Sequence, residues 1–151
     1  LLFAHPLCPC TRASLEALAT LQATLAPETV TVDVVFVQAS GLPATARTSP
    51  LWRQARAIPG VTVIQDEDGT LARRCGAETS GQVLVYGADT RLLFAGGITP
   101  SRGETGDCPG IAAVTTALHG GTPPFQRTAV FGCALLNDQN PKEAGRGTWR
   151  S

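Results

Sequence analysis

Leu1-Leu2-Phe3-Ala4-His5-Pro6-Leu7-Cys8-Pro9-Cys10-Thr11 is the stretch on which the reading of this chain turns. Four apolar residues of strand-like composition lead into two cysteines that flank one proline. Beyond them Leu18, Leu21 and Leu25 fall at i, i+3 and i+7, the stripe of an amphipathic helix. The order is strand, thiol pair, helix. Cys8 is expected near the helix N-cap and Pro9 at the first helical position, where its missing N–H costs nothing. Backbone N–H groups and the helix dipole at such an end favour a thiolate over a thiol. A thiolate attacks disulfides and binds soft metals, so the stretch points to thiol redox chemistry or to metal handling.

Outward from that stretch, Pro27 is expected to end the helix. Residues 30–37 are rich in β-branched side chains and read as a strand covered on both faces, as in a central parallel pair. Ser49-Pro50 starts a second helix with Leu51, Trp52 and Ala55 inward. Residues 61–64 read as a third strand, 66–69 as a turn, and 70–75 as one or two helical turns. Residues 83–86 and 92–95 form a hairpin. A long polar loop with Arg102 and Glu104 follows, then a helix from Asp107-Cys108-Pro109 to about His119. The expected fold is α/β: a mixed sheet of four to five strands flanked by helices on both faces. Residues 1–119 make the domain, and residues 120–151 an irregular C-terminal tail that packs on it. The tail holds one apolar knot, residues 130–136, and there are no internal repeats.

A chain of 151 residues is one domain by size, and its formal net charge is zero. Nothing in it builds a basic field for nucleic acid or anionic lipid. The two Trp, one Tyr and five Phe are scattered and offer no stacking platform. No apolar run reaches the length of a membrane span, so no direct membrane insertion of this segment is expected. The chain begins inside an apolar strand and contains no Met, and it reads as an excised segment with any leader or anchor upstream of Leu1. The five cysteines, Cys8, Cys10, Cys75, Cys108 and Cys133, are an odd count that cannot close into a disulfide framework.

Cys8 is expected to be the more acidic and accessible thiol and the nucleophile, with Arg12 one turn in adding positive field. Cys10 is then the resolving thiol. The bland alternative is a static disulfide or two inert thiols. The same pair is a good Cu(I) chelate, with His5 as a third ligand; otherwise His5 is a strand-end residue bonded to backbone. Cys133 reads either as a third partner brought over the site by the tail, resolving thiol or ligand, or as a small buried hydrophobe. Cys108 reads as an N-cap and Cys75 as core, and a bridge between them is compatible with the sequence. His119 reads as a helix-terminal surface group.

These residues resemble the thioredoxin-like superfamily. The parts that match are the strand into Cys8-Pro9-Cys10, residues 66–77 and the hairpin over 83–95. They are most similar to its extracytoplasmic redoxin branch. More narrowly, residues 5–14, Thr79-Ser80-Gly81, residues 93–102 and Val130-Phe131-Gly132-Cys133 resemble a small bacterial group known as RedB. The resemblance implies a thiol–disulfide oxidoreductase in which Cys8 attacks, Cys10 or Cys133 resolves, and the partners are protein thiols or disulfides. It implies that Thr79, Ser80 and Gly81 face the thiols and pair with an extended substrate strand, with Pro9 and Arg12 beside them. No cofactor is required; Cu(I) belongs to the alternative, copper-binding or copper-delivery reading. It also implies an extracytoplasmic, periplasmic setting with a tether upstream. Two departures stand out. The superfamily usually has two residues between its thiols, and here there is one. It usually has a cis-proline facing them, where this chain has Thr79-Ser80-Gly81. A peroxidase reading is weaker, because such relatives carry a Thr three residues before the reactive cysteine, the place His5 holds.

Overall fold

Successive residues of a strand face opposite sides of its sheet, and β1 (Leu2–Ala4) divides the protein's interior on that basis. Leu2 and Ala4 point into one core, Phe3 into the other, and all three are buried. A computed structural model describes residues 1–25, 30–39 and 41–136. Five strands form one mixed sheet in the order β3-β2-β1-β4-β5. β2 (Val32–Gln38) pairs parallel with β1, Leu2 opposite Val34, and parallel with β3 (Val61–Glu67) on its other side. β4 (Gln82–Tyr86) runs antiparallel to β1, and β5 (Leu92–Gly97) antiparallel to β4. The mixed sheet flanked by helices expected from the sequence is the fold observed. The β-branched run lies between two parallel neighbours, as its composition predicts.

The larger core lies between one sheet face and the helices α1 (Thr11–Ala23), α2 (Pro50–Arg56) and α4 (Pro109–Leu118). Leu18 and Leu21 of α1, Leu51 and Ala55 of α2, and Ala113, Val114 and Ala117 of α4 meet Val34, Phe36, Val85 and Phe94 of the sheet. The smaller core joins Phe3, Val35, Val37 and Leu84 to Ala72 of α3 (Thr70–Cys75) and to Leu135 of the tail. The expected caps hold: Ser49 accepts from the Trp52 N–H at 3.2 Å, and Cys108 stands at the N-cap of α4 before Pro109. No helix among the described residues is long and apolar enough to cross a membrane.

Some boundaries differ from the sequence expectation. α1 starts at Thr11 with Cys10 at its N-cap, so Pro9 sits in the turn ahead rather than at the first helical position. That turn is wound like the helix, with the Thr11 N–H on the Cys8 carbonyl at 3.1 Å and the Arg12 N–H on that of Pro9 at 3.3 Å. α1 ends at Ala23, before Leu25, and Pro27 lies outside the described residues. β3 continues through Asp66 and Glu67, which the sequence suggested were a turn. Asp66 is buried, and its two carboxylate oxygens accept the Leu71 and Ala72 N–H groups at 2.8 Å each. A carboxylate is stabilised at a helix start by those unpaired donors, which explains an acidic residue at a buried strand end. A short 3-10 turn, Ala44–Thr48, also precedes α2.

Candidate active site

β1 ends at Ala4, and the chain then turns through His5–Leu7 to bring Cys8 beneath the start of α1. Hydroxyls hold this turn in place. The Thr11 hydroxyl donates to the His5 carbonyl at 3.2 Å, which leaves it an acceptor for the Ser80 hydroxyl at 2.8 Å. Ser80 Oγ in turn accepts the His5 N–H at 2.9 Å. Ser80 and Thr11 are both buried. Gly81 follows with φ +94°, and a Cβ there would meet Ser14 Oγ at 2.7 Å. A side chain at that position would therefore strain the backbone and press on α1.

The C-terminal segment closes over this turn. It leaves α4, passes β5, where the Ala95 N–H bonds the Gln126 carbonyl at 2.9 Å and the Thr128 hydroxyl bonds that of Gly97 at 3.0 Å, and reaches Cys133. There it runs antiparallel to residues 78–80, with Thr79 opposite Ala134. The Ser80 N–H donates to the Cys133 carbonyl at 2.8 Å and the Leu135 N–H to that of Glu78 at 2.9 Å. Gly132 makes the approach feasible, because a Cβ on it would overlap the Ser80 carbonyl oxygen. Arg102 donates to the Gly132 carbonyl at 2.8 Å and clamps the segment from the loop after β5.

The result is a meeting of two sulfurs 125 positions apart in the chain: Cys8 Sγ and Cys133 Sγ are 2.7 Å apart. A disulfide bond measures about 2.05 Å, so these sulfurs are in direct contact without being bonded. Both are thiols here, as are Cys10, Cys75 and Cys108. Burial pushes the Cys8 thiol up. The Cys133 thiol, the Cys133 N–H and the N–H groups of Cys10 and Thr11 donate to its sulfur, and together they bring it below the ordinary cysteine value. Cys10 moves the other way, raised by burial, by the charge of Cys8 and by a hydrogen bond to Cys8, with Arg102 opposing. Cys133 is pushed up to about 11 by the hydrogen bond to Cys8, by burial and by the charges of Cys8 and Cys10, again against Arg102. The order of acidity is thus Cys8 lowered, with Cys10 and Cys133 raised beside it.

The expected acidic thiol is the acidic one, but it is not the accessible one: Cys8 is 1% exposed. The docked tail covers it. Cys10 is buried too, while Cys133 is only partly so. Arg12 is exposed on the first turn of α1, and the cation whose charge reaches the thiols is Arg102. Sequence reading passed over Arg102 as a loop residue; its signal, a lone arginine in a polar loop, is local and unspecific. The Ser80 hydroxyl is committed to Thr11 and His5 rather than to a thiolate, and the backbone of Thr79 and Ser80 pairs with the chain's own tail. Pro9 occupies the turn between the two N-terminal thiols.

His5 is half-buried, and that burial lowers its pKa and favours the neutral ring. Its Nδ1 accepts the Leu7 N–H at 3.2 Å, so that nitrogen is committed to backbone. Among the described residues no group of three His, Cys, Asp or Glu side chains is arranged to hold a metal ion. Two thiolates on one tetrahedral ion with metal–sulfur bonds of about 2.3 Å stand roughly 3.8 Å apart, wider than the Cys8–Cys133 spacing. Cys8 and Cys133 at this spacing therefore do not span one tetrahedral ion. Cys75 ends α3 and packs on the smaller core. Cys108 occupies the N-cap position of α4 without a side-chain cap bond, and His119 ends the helix on the surface with Nδ1 2.8 Å from the Thr115 carbonyl oxygen.

No family model matches the sequence, and no curated protein is significantly similar to it. Two solved structures share the fold. One is a hypothetical protein from Sinorhizobium meliloti, with a TM-score of 0.67 at 22% identity, covering 88% of this chain and 75% of that one. The other is an uncharacterized conserved protein from Geobacillus kaustophilus, with a TM-score of 0.72 at 17% identity, covering 91% and 75%. At such identities the likeness speaks for the fold alone.

Proposed function

We propose that this protein is a thiol–disulfide oxidoreductase of thioredoxin-like type, acting on protein thiols or disulfides outside the cytoplasm. The observation that carries the reading is the 2.7 Å approach of Cys133 Sγ to Cys8 Sγ, whose pKa the Cys133 thiol and backbone N–H groups lower against the effect of burial. A low-pKa thiolate beside a second thiol has the components of a two-electron couple. The Cys8 thiolate attacks one sulfur of a substrate disulfide. That S–S bond breaks, the other sulfur leaves as a thiolate, and Cys8 is joined to the substrate. Cys133, deprotonated as it attacks, then bonds to Cys8 Sγ and expels the remaining substrate thiolate. The substrate gains two electrons, one proton from Cys133 and one from solvent, and the protein becomes the Cys8–Cys133 disulfide; the reverse sequence oxidises a dithiol.

Cys133, rather than Cys10, is the favoured partner of Cys8. A Cys-x-Cys disulfide closes a small ring with poor geometry, whereas the approach of Cys133 from a separate segment carries no such constraint. The decisive experiment is mild oxidation followed by proteolysis and mass spectrometry. A peptide pair joined through Cys8 and Cys133 is expected, with Cys75 and Cys108 still free to alkylate. A Cys75–Cys108 product, or no disulfide at Cys8, would refute the reading.

A further inference from the structure

We propose that residues 132–135 are an internal copy of the substrate: the edge they cover binds, in trans, an extended cysteine peptide with glycine before the cysteine and a leucine-like residue two positions after it. The proposal rests on the thiol-exchange reading above and names the substrate class of that site.

The contacts that seat the tail belong mostly to its backbone. Ser80 N–H to the Cys133 carbonyl, Leu135 N–H to the Glu78 carbonyl, and Arg102 to the Gly132 carbonyl need no particular side chain. Another extended strand makes the same three bonds, and strand addition of this kind draws affinity from the main chain and specificity from alternate side chains. Two positions impose side-chain rules. Before the cysteine, a Cβ would overlap the Ser80 carbonyl oxygen and come within 3.3 Å of Thr79 Cγ2, so glycine is required. Two places after the cysteine, Leu135 is 1% exposed and joins Phe3, Ala72 and Ala77 in the smaller core, so an aliphatic residue is required. The position between them, Ala134, is exposed and imposes no such demand. Leu7 and Phe131, near Cys8 and Cys133 in sequence, are exposed apolar side chains available to a bound strand.

One edge holds one strand, so tail and substrate exclude each other. The tail, tethered to the domain, has the advantage of effective concentration and covers Cys8 at rest. Substrate enters when the tail lifts. Its disulfide-bonded cysteine then lies where Cys133 lay, and Cys8 attacks that sulfur with loss of the other as thiolate. The tail's return delivers Cys133 to Cys8 Sγ, the bond from Cys8 to substrate breaks, and the substrate leaves as a thiolate from the edge the tail reoccupies. Electrons and protons balance as in the couple above.

The test uses a peptide of sequence Val-Phe-Gly-Cys-Ala-Leu-Leu, its cysteine activated as a mixed disulfide with thionitrobenzoate, and a second peptide with valine in place of glycine. Each is mixed with the reduced full chain, with Gly132→Val and with Gly132→Ala, and the coloured thiolate released on attack by Cys8 is timed. Gly132→Ala places only a Cβ against the Ser80 carbonyl oxygen, so it serves where the bulkier Gly132→Val disturbs folding. Loosening the tail is expected to speed reaction with the glycine peptide by about tenfold over the unaltered chain, and the glycine peptide to outpace the valine peptide by about tenfold. Equal rates for the two peptides, or no gain on loosening the tail, while Cys8 still reacts with Ellman's reagent, would overturn the substrate assignment and leave thiol exchange standing. Failure of Cys8 to react with peptides and with Ellman's reagent would overturn both.

Discussion

The backbone N–H of Ser80 donates to the carbonyl oxygen of Cys133 at 2.8 Å, while the Ser80 hydroxyl accepts the His5 N–H at 2.9 Å. One buried serine thus ties the turn that carries Cys8 to the segment that carries Cys133. Any movement of the tail strand is coupled through Ser80 to the geometry of the nucleophile.

Cys133 donates to the Cys8 sulfur through both its thiol and its N–H. Cys133→Ala removes the thiol donor and leaves the amide. The alkylation midpoint of Cys8, followed against pH by mass spectrometry, is expected to rise toward the ordinary cysteine value. A midpoint that stays put would show that the Cys133 thiol does not act on Cys8 in solution.

Alkali and acid should both loosen the tail. Cys133 is raised to about 11 when docked, so the docked form keeps a proton that the free segment loses at ordinary thiol pKa. Its contribution is full below the free-thiol value and fades as pH rises toward about 11. Cys8 is lowered, so its contribution is present above its unfolded value and is lost as pH falls through the lowered one. Hydrogen exchange at the Ser80 and Leu135 amides, corrected for intrinsic rates, should be slowest between those limits. A flat profile would contradict the order of acidity.

Leu135 is fully buried in the smaller core. Leu135→Ala is expected to cost about 2–5 kcal/mol in urea denaturation, the usual range for a truncated core leucine. A cost below about 0.5 kcal/mol, typical of a surface site, would mean that the tail is not part of the cooperative unit.

Asp66 accepts two N–H groups at the start of α3 from a buried position. Asp66→Asn keeps one acceptor, loses the charge and introduces an amide donor at a site filled by donors. A loss of about 1–3 kcal/mol is expected, read by thermal or chemical denaturation.

Copper separates the two readings of the thiols. The Cys8–Cys133 spacing is shorter than two thiolates on one ion take, and Nδ1 of His5 accepts the Leu7 N–H. Competition of the reduced protein with a Cu(I) indicator is expected to show weak binding. Tight one-to-one binding lost in Cys8→Ser would shift the assignment to copper delivery.

Much of the frame is legible in the sequence because its causes are local. The β-branched run of residues 30–37 declares a doubly covered strand, and β2 covers Val32–Gln38. Ser49 before Pro50 declares a helix start, and Ser49 caps it. The thiol pair before a leucine stripe declares a turn into a helix. Where reading failed, a distant partner had intervened. Asp66 resembles a turn residue until the amides of α3 are placed beside it. The position of Pro9 depended on where the turn from β1 gives way to α1, and the hydroxyls of Thr11, at the start of α1, and of Ser80, ahead of β4, set that point.

The chain alone determined the order of elements, the mixed sheet, and the location of an acidic thiol near the start of α1, since propensity, periodicity and helix-end electrostatics act over a few residues. Only the tertiary structure decided which thiol meets Cys8, that the meeting buries it, and that Arg102 rather than Arg12 supplies the cation. Those outcomes depend on an edge pairing between residues 78–80 and 133–135. Strand pairing carries no local sequence code beyond permissive residues such as Gly132, because backbone N–H and C=O groups are common to every residue.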